Sequence, residues 1–309
     1  MKKVAFIFPG QGSQAVGMGK DFFENSDIAK EMIKKASNRL NIDFEKLLFE
    51  ENDNLGKTEF TQPAILLVSS IALAIFKEKC DIKPEFVLGH SLGEFSALIA
   101  AGAIDYLDAI ELVNKRGIFM TEACAGGGAG MMALVGIDDE KVETICKEQR
   151  VKGLKVWPAN YNMDGQLVLA GLKADLESLV DTFKNAGAKR ALVLDMSVAS
   201  HCELLESAVE NLKPYLIEFL NEEFLNVVSN VSANLYSTKD EAVELLASQL
   251  ISPVKYKQSI KAFDDKVDLF IEFGHGAVLK GLNRKISDKP TLNVFDMKTL
   301  NETLEALND

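Results

Sequence analysis

The sequence is short of the residues that build metal centres, disulfide frameworks and nucleic-acid grips. Its 309 residues include only four cysteines and three histidines. Cys80, Cys124, Cys146 and Cys202 form no C-x-x-C pair, and His90, His201 and His275 lie far apart in the chain. A metal site is therefore not expected, and the cysteines read as reduced thiols of a cytoplasmic protein. Lysine and arginine number 34 against 46 aspartates and glutamates, a net charge of −12. No basic cluster is interleaved with aromatics, so nucleic acid is not an expected partner. Long apolar runs are missing as well. Lys2-Lys3 precede an apolar run that stops at Pro9, too short for a signal peptide. The longest apolar stretch, Ala64 to Phe76, is interrupted by Ser69-Ser70 and is too short to span a bilayer. Association with a membrane is not expected.

What is present is the mix of an ordinary globular chain, 47% hydrophobic and 26% charged, long enough to bury a substantial core. Val4 to Phe8 reads as a buried strand, residues 22–50 as helical, and Thr61 to Lys79 as an apolar helix with Pro63 tolerated in its first turn. Asp105 reads as the N-cap of a helix running to about Cys124. Gly126-Gly127-Gly128 with Gly130 marks a composition break. After it come strand (Met131–Gly136), helix (Asp138–Arg150), strand (Leu154–Asn160), strand (Gln166–Ala170), helix (Lys173–Ala186) and strand (Lys189–Leu194). That is the ferredoxin-like β-α-β-β-α-β order, read as a small inserted subdomain. Beyond it, apolar residues from Leu204 to Phe219 recur at helical spacing, followed by a strand at Val227–Val231 and a helix at Asp240–Leu250. A strand (Leu269–Phe273), a helix (Val278–Ile286) and a last strand (Leu292–Phe295) complete the pattern. Alternating strands and helices imply an α/β fold whose main sheet is largely parallel.

One stretch organises the chemistry. The apolar run Phe86-Val87-Leu88 leads into Gly89-His90-Ser91-Leu92-Gly93, and an alanine-rich helical pattern follows. Strand, sharp turn and helix with serine at the turn is the nucleophile-elbow arrangement, which exposes the hydroxyl above the sheet. The glycines allow backbone to pack on backbone, and the Leu92 N–H lies at a helix start, where free donors favour a developing oxyanion. Gly10-Gln11-Gly12-Ser13-Gln14-Ala15 loosely fits a dinucleotide fingerprint. Pro9, Gly17 and Gly19 spoil the strand–helix context that such a site needs.

A serine hydroxyl needs a base. His90 adjoins Ser91 and is expected to point into the packing. His201, on a loop that opens a helix, is the better candidate, and Asp195 is a possible orienting acid, although awkwardly placed. Cys202 beside His201 reads more simply as a packed thiol than as a nucleophile. Arg116 lies among Leu112, Val113, Ile118 and Phe119, either as an ion-paired arginine or as a buried fork for a substrate carboxylate.

With these residues collected, the chain resembles the malonyl-CoA:acyl-carrier-protein transacylases of type II fatty acid synthesis. The matching segments run from Phe8-Pro9-Gly10-Gln11-Gly12-Ser13-Gln14 through Gly89-His90-Ser91-Leu92-Gly93-Glu94 and Lys115-Arg116-Gly117. They continue with Asn160 and Asn162, Ser200-His201, Gln249 ahead of Ser252-Pro253-Val254, and Glu272-Phe273-Gly274. The resemblance implies an α/β-hydrolase-like large subdomain (1–125 and 197–309) with a ferredoxin-like insert (126–196). It implies Ser91 as nucleophile, His201 as general base and acid, and Gln249 orienting that histidine through its backbone carbonyl, with Asp195 uninvolved. Gln11 and Leu92 N–H groups would form the oxyanion hole, Arg116 would hold the malonyl carboxylate, and Asn160 and Asn162 would line the mouth. No metal or redox cofactor is implied. Malonyl-CoA and acyl carrier protein are the expected partners, and a monomer suffices. Carrier proteins are acidic, so Lys189-Arg190 and Lys280, Arg284 and Lys285 are candidates for a landing patch. Three positions depart from the family pattern: His275 in place of a proline, Met163-Asp164 in place of Ser-Pro, and Val198 leading Ala199-Ser200-His201. The last leaves a methylmalonyl or polyketide acyltransferase as the alternative, and a serine thioesterase as the enzymatic rival on the same elbow.

Overall fold

The computed structural model describes Lys2–Met196 and Val198–Asn308. Ser197 and Asp309, the expected bounds of the second large-subdomain segment, lie outside the described residues. In chain order the strands are β1 Val4–Phe8, β2 Phe86–Gly89, β3 Ala129–Val135, β4 Val156–Met163, β5 Gln166–Leu172, β6 Arg190–Val193, β7 Glu223–Val228, β8 Leu235–Thr238, β9 Leu269–Phe273 and β10 Thr291–Val294. They form a six-stranded sheet, β10-β9-β1-β2-β7-β8, and a four-stranded sheet, β4-β5-β3-β6. In the first, every neighbouring pair is parallel except the β7–β8 hairpin. The second is antiparallel throughout, built wholly from strands within residues 126–196.

Apolar residues on both faces explain the parallel sheet. All five residues of β1 are buried, with Phe6 and Phe8 packing towards Phe76 and Phe273, and Ala5 and Ile7 facing the opposite core with Tyr256 and Ile260. A strand covered on both sides reads as an unbroken apolar run.

The apolar helix is longer than its sequence run suggests. It spans Thr58–Lys79, 22 residues, with a mean hydropathy of 1.6 over its most apolar window. By length and composition it could cross a membrane, yet 83% of that window is buried inside the protein. Starting at Thr58 moves Pro63 from the first turn into the second, where its missing N–H leaves the Glu59 carbonyl without a helical partner. The Asn114 side chain from helix Tyr106–Ala123 donates to that carbonyl at 2.8 Å.

Other boundaries differ from the sequence reading. Residues 22–50 are three helices, Lys20–Asn25, Asp27–Leu40 and Phe44–Phe49, the second ended by Asn41 at φ 54°. The stretch expected as one helix over Lys173–Ala186 breaks at Leu179 into Lys173–Ser178 and Val180–Asn185. β4 runs on past Asn160 to Met163, and β7 starts at Glu223 rather than Val227, so residues 229–231 are loop. The helix expected to reach Ile286 stops at Asn283. The sequence reading lacks strand β8 and the helices Tyr256–Phe263 and Met297–Asn308, although both helices are amphipathic.

The two sheets are fastened along β4. Tyr161 N donates to Val254 O at 2.9 Å and Val254 N to Ala159 O at 2.8 Å, joining β4 to the segment before helix Tyr256–Phe263. Lys257 on that helix is largely buried and pairs with Asp139 and with Asp164 (3.0 Å), while Lys261 pairs with Asp164 at 2.8 Å. The departure at Asp164 thus supplies one arm of a charged clasp between the sheets.

Asn114→Ala should lower stability by about 1 kcal/mol, because it strips the Glu59 carbonyl of its donor. In a Pro63→Ala background, which restores the backbone N–H, the same change should cost less than half as much. Urea-unfolding midpoints of the four proteins test this, and equal costs in both backgrounds would reject the pairing.

Candidate active site

β2 delivers the elbow. Ser91 holds φ at 53°, a region non-glycine residues seldom occupy, between β2 and the helix Gly93–Ala101. The turn is too tight for side chains on its flanks. A Cβ at Gly89 would lie 1.9 Å from the Gly93 carbonyl carbon, and one at Gly93 would lie 2.0 Å from the Phe8 oxygen. Asn230, in the loop after β7, clips the turn. Its side chain donates to Gly89 O at 2.7 Å and accepts from Ser91 N at 2.7 Å. The Gln11 and Leu92 N–H groups have no acceptor among the described residues, and both residues line the cleft.

His201, also at positive φ (62°), faces the serine. Its Nε2 is 2.7 Å from Ser91 Oγ, and its Nδ1 is 2.8 Å from the Gln249 carbonyl oxygen. A carbonyl only accepts, so Nδ1 carries the proton and Nε2 is left to accept from the serine hydroxyl. Burial, reinforced by the charge of Arg116, pushes the imidazole down from 6.5 to about 3. Asp195, the alternative orienting acid, is exposed on the cleft rim; the orienting contact belongs to Gln249.

Arg116 comes from helix Tyr106–Ala123 and is 2% exposed. Its Nη1 donates to Gln62 Oε1 at 2.8 Å, and its Nη2 to Gln249 Oε1 at 3.1 Å and Ser91 Oγ at 3.4 Å. Phe95 lies 5.4 Å beneath the guanidinium carbon. Among the described residues no carboxylate touches the guanidinium, and its Nε has no acceptor. Burial lowers Arg116 to about 10, which leaves it charged at neutral pH.

These groups meet in a cleft of about 470 Å³ between the two sheets. Met131, Asn160, Asn162 and Leu194 line it from the small-sheet side. Asn160 is nearly buried where β4 meets Val254, and Asn162 Oδ1 is 2.8 Å from His90 Nε2. His90 therefore turns from the serine towards the insert, and it also borders the cleft. A second hollow of about 550 Å³, lined by Lys57 and Lys173, opens beside the first and shares Gln11, Gly56, Asp195 and Met196 with it. Among the described residues no group of three His, Cys, Asp or Glu could hold a metal ion.

The basic residues singled out in the sequence do not form one patch. Lys189 and Arg190 lie at the start of β6, beside Val135, whereas the cleft is reached at the other end of that strand, at Leu194. The helix Val278–Asn283 packs instead against β4, on the opposite flank of the small sheet. Lys280 is committed to Asn293 at 3.1 Å, while Arg284 and Lys285 are exposed. His275 does not line the cleft; it is half-buried against Phe295.

Sequence reading missed Gln62, Asn230 and Tyr236, and assigned no role to Glu94 beyond its place in the motif. Each acts through a contact with a residue distant in the chain, a signal that local pattern does not carry.

Comparison with known proteins agrees with the geometry. The acyl transferase domain family matches residues 5–299. The malonyl CoA-acyl carrier protein transacylase of Bacillus subtilis strain 168 is 40% identical over 313 residues, covering 100% of this chain and 98% of its own. A crystal structure of malonyl-CoA:acyl carrier protein transacylase from Helicobacter pylori superposes with a TM-score of 0.96 at 45% identity, covering 100% of this chain and 99% of that one. A type II polyketide acyl carrier protein in complex with its malonyl-transacylase gives 0.95 at 36% identity, over 98% of this chain and 99% of that chain.

The low proton affinity of His201 has a measurable cost in acid. As pH falls from 6.5 towards 3, the unfolded chain protonates this histidine and the folded chain does not, so stability drains through that window. His201→Gln should remove about 2 kcal/mol of the loss between pH 6.5 and about pH 5. Glu94, whose shift runs the other way, is common to both proteins and cancels from the difference. Unfolding free energies measured across this range check the assignment, and parallel curves would overturn it.

Proposed function

The chain belongs to the acyl transferase domain family, among the malonyl-CoA:acyl carrier protein transacylases, and from that premise we propose how its own residues carry the reaction. It transfers a malonyl group from malonyl-CoA to the phosphopantetheine thiol of acyl carrier protein. The observation that carries the site assignment is the convergence on Ser91 Oγ of a neutral imidazole at 2.7 Å and a buried guanidinium at 3.4 Å.

In the first half-reaction Ser91 Oγ attacks the thioester carbon and gives its proton to His201 Nε2. The oxyanion is held by the Gln11 and Leu92 N–H groups. The C–S bond breaks, the proton passes from His201 to the departing thiolate, and malonyl-Ser91 remains. In the second half-reaction the carrier thiol loses its proton to His201 and attacks the ester carbonyl; Ser91 Oγ leaves and recovers the proton. Arg116 binds the malonyl carboxylate, drawing on donors that the resting site leaves partly unmatched. That carboxylate offsets the charge that depresses His201, so the base strengthens once an acidic substrate is seated. The acyl group, fixed at both ends, is presented to a thiol in preference to water. Asn160 and Asn162 line the mouth through which the pantetheine arm enters.

We also assign residues 1–125 and 197–309 to the catalytic subdomain and 126–196 to the insert. The activity is placed in the cytoplasm, in the supply of fatty acid elongation.

Intact mass after mixing with malonyl-CoA tests the chemistry. One malonyl adduct is expected on the native chain, none on Ser91→Ala, and discharge only when carrier protein is added. Arg116→Ala should reduce loading by malonyl at least a hundredfold more than loading by acetyl. Loss of the adduct at the same rate without carrier protein would make the enzyme a thioesterase, and equal losses for the two acyl groups would remove the arginine from carboxylate binding.

Arg284 and Lys285 remain the candidate landing patch for the acidic carrier, since they are exposed and directly follow the helix Val278–Asn283, which packs against β4. Reversing both charges should raise the carrier-protein KM about tenfold at low salt and spare CoA release from malonyl-CoA. An unchanged KM would reject the patch.

A further inference from the structure

The arrangement around Glu94 has a purpose that the reaction itself does not require. Glu94 is in the first turn of the elbow helix and is 1% exposed. Tyr236 OH donates to its Oε1 at 2.9 Å, and Asn230 N (3.2 Å) and Gln249 Nε2 (2.7 Å) donate to its Oε2. Its carboxylate meets neither Arg116 nor the Ser91 hydroxyl, and only its backbone N–H touches the nucleophile residue, donating to Ser91 O at 3.0 Å. Its link to the site runs through Gln249, whose side-chain Oε1 accepts from Arg116 at 3.1 Å while its backbone oxygen accepts from His201.

We propose that Glu94 is a positioning residue for recognition of the substrate carboxylate: it fixes the polarity of the Gln249 amide so that oxygen, and not NH₂, faces Arg116. An amide has two nearly isosteric ends, and only its partners decide which way it lies. Here the NH₂ end is claimed by Glu94 Oε2 and by Ser91 O at 3.1 Å. Without the carboxylate, a flipped amide would point donors at a cation and push the guanidinium off its position. The neutral amide also keeps the two buried charges one group apart. A carboxylate in direct contact would pair with Arg116 bidentately and fill the place that the substrate carboxylate needs. Glu94 thus supplies a counter-charge to Arg116 without competing for it. The inference deepens the reading of Arg116 as the carboxylate-binding group and rests on it.

The test compares kcat/KM for malonyl-CoA and acetyl-CoA, both followed by CoA release, in Glu94→Met and Glu94→Gln. Methionine fills the space and accepts nothing useful; glutamine keeps one oxygen for Gln249 Nε2. The malonyl-to-acetyl ratio should fall at least tenfold in Glu94→Met, and glutamine should restore it to within about threefold of the native value. A purely structural role would lower both substrates by the same factor, and that outcome, or equal impairment in the two variants, overturns the proposal. Should Glu94→Met fail to fold, Gln249→Met takes its place against Glu94→Gln with the same expected contrast. Native enzyme that takes up no malonyl group would instead refute the function on which the inference rests, whatever the variants do.

Discussion

A positive charge buried without a carboxylate in contact is the constraint around which the cleft is arranged. Removing a guanidinium from water costs several kcal/mol unless acceptors replace the solvent. Arg116 is given two amide oxygens, a serine hydroxyl and the face of Phe95, drawn from three separate helices and the elbow. None of these neutralises it. The residual field reaches His201 and, with burial, keeps the imidazole unprotonated, so the cation proposed to bind an acidic substrate also keeps the proposed base free. Glu94 carries the opposite disposition, since burial drives its carboxyl up to about 7 while every neighbour donates to it.

The fold makes this possible by bringing segments distant in the chain onto one strand end. β2 lies centrally in the parallel sheet, between β1 and β7, so the turn after it is flanked on one side by the Gln11 loop and on the other by Asn230. The helix ending at Gln249 and the loop carrying His201 approach from above, and the antiparallel insert closes the remaining side through β4. The clasp of Lys257 and Lys261 on Asp139 and Asp164 holds that closure along one flank.

Much of this was legible in the sequence, for reasons that differ from part to part. The elbow is a local object: strand, Gly-x-Ser-x-Gly and helix fit within about fifteen residues, and the glycines are required by close backbone contact. His201 stood out because histidines are scarce. The insert could be read because its strands and helices alternate after a glycine-rich break at Gly126–Gly130. Gln249 was legible only through the family resemblance, since it orients His201 with a backbone oxygen that any residue possesses. Gln62, Asn230 and Tyr236 act across separations of more than fifty residues, and local pattern holds no trace of such pairings. The charged patch failed as a unit for a similar reason: positions close in composition proved to be on opposite flanks of one small sheet. Pro63 was misplaced by three residues because its helix begins with Thr58-Glu59-Phe60, which lacks the strong apolar signal that marked Thr61 onwards.

Both Ser91 and His201 hold the left-handed backbone region, where a side chain is tolerated only under constraint from its surroundings. The two hydrogen-bonding partners are therefore each set in a backbone shape that their own residue types disfavour. A random change that lets either loop relax gains local stability and parts the 2.7 Å contact between them. Thermal robustness and the activity proposed for this pair are thus selected in opposite directions at these two positions. In a search for hardier variants, screens that score folding alone will drift towards inert proteins here first.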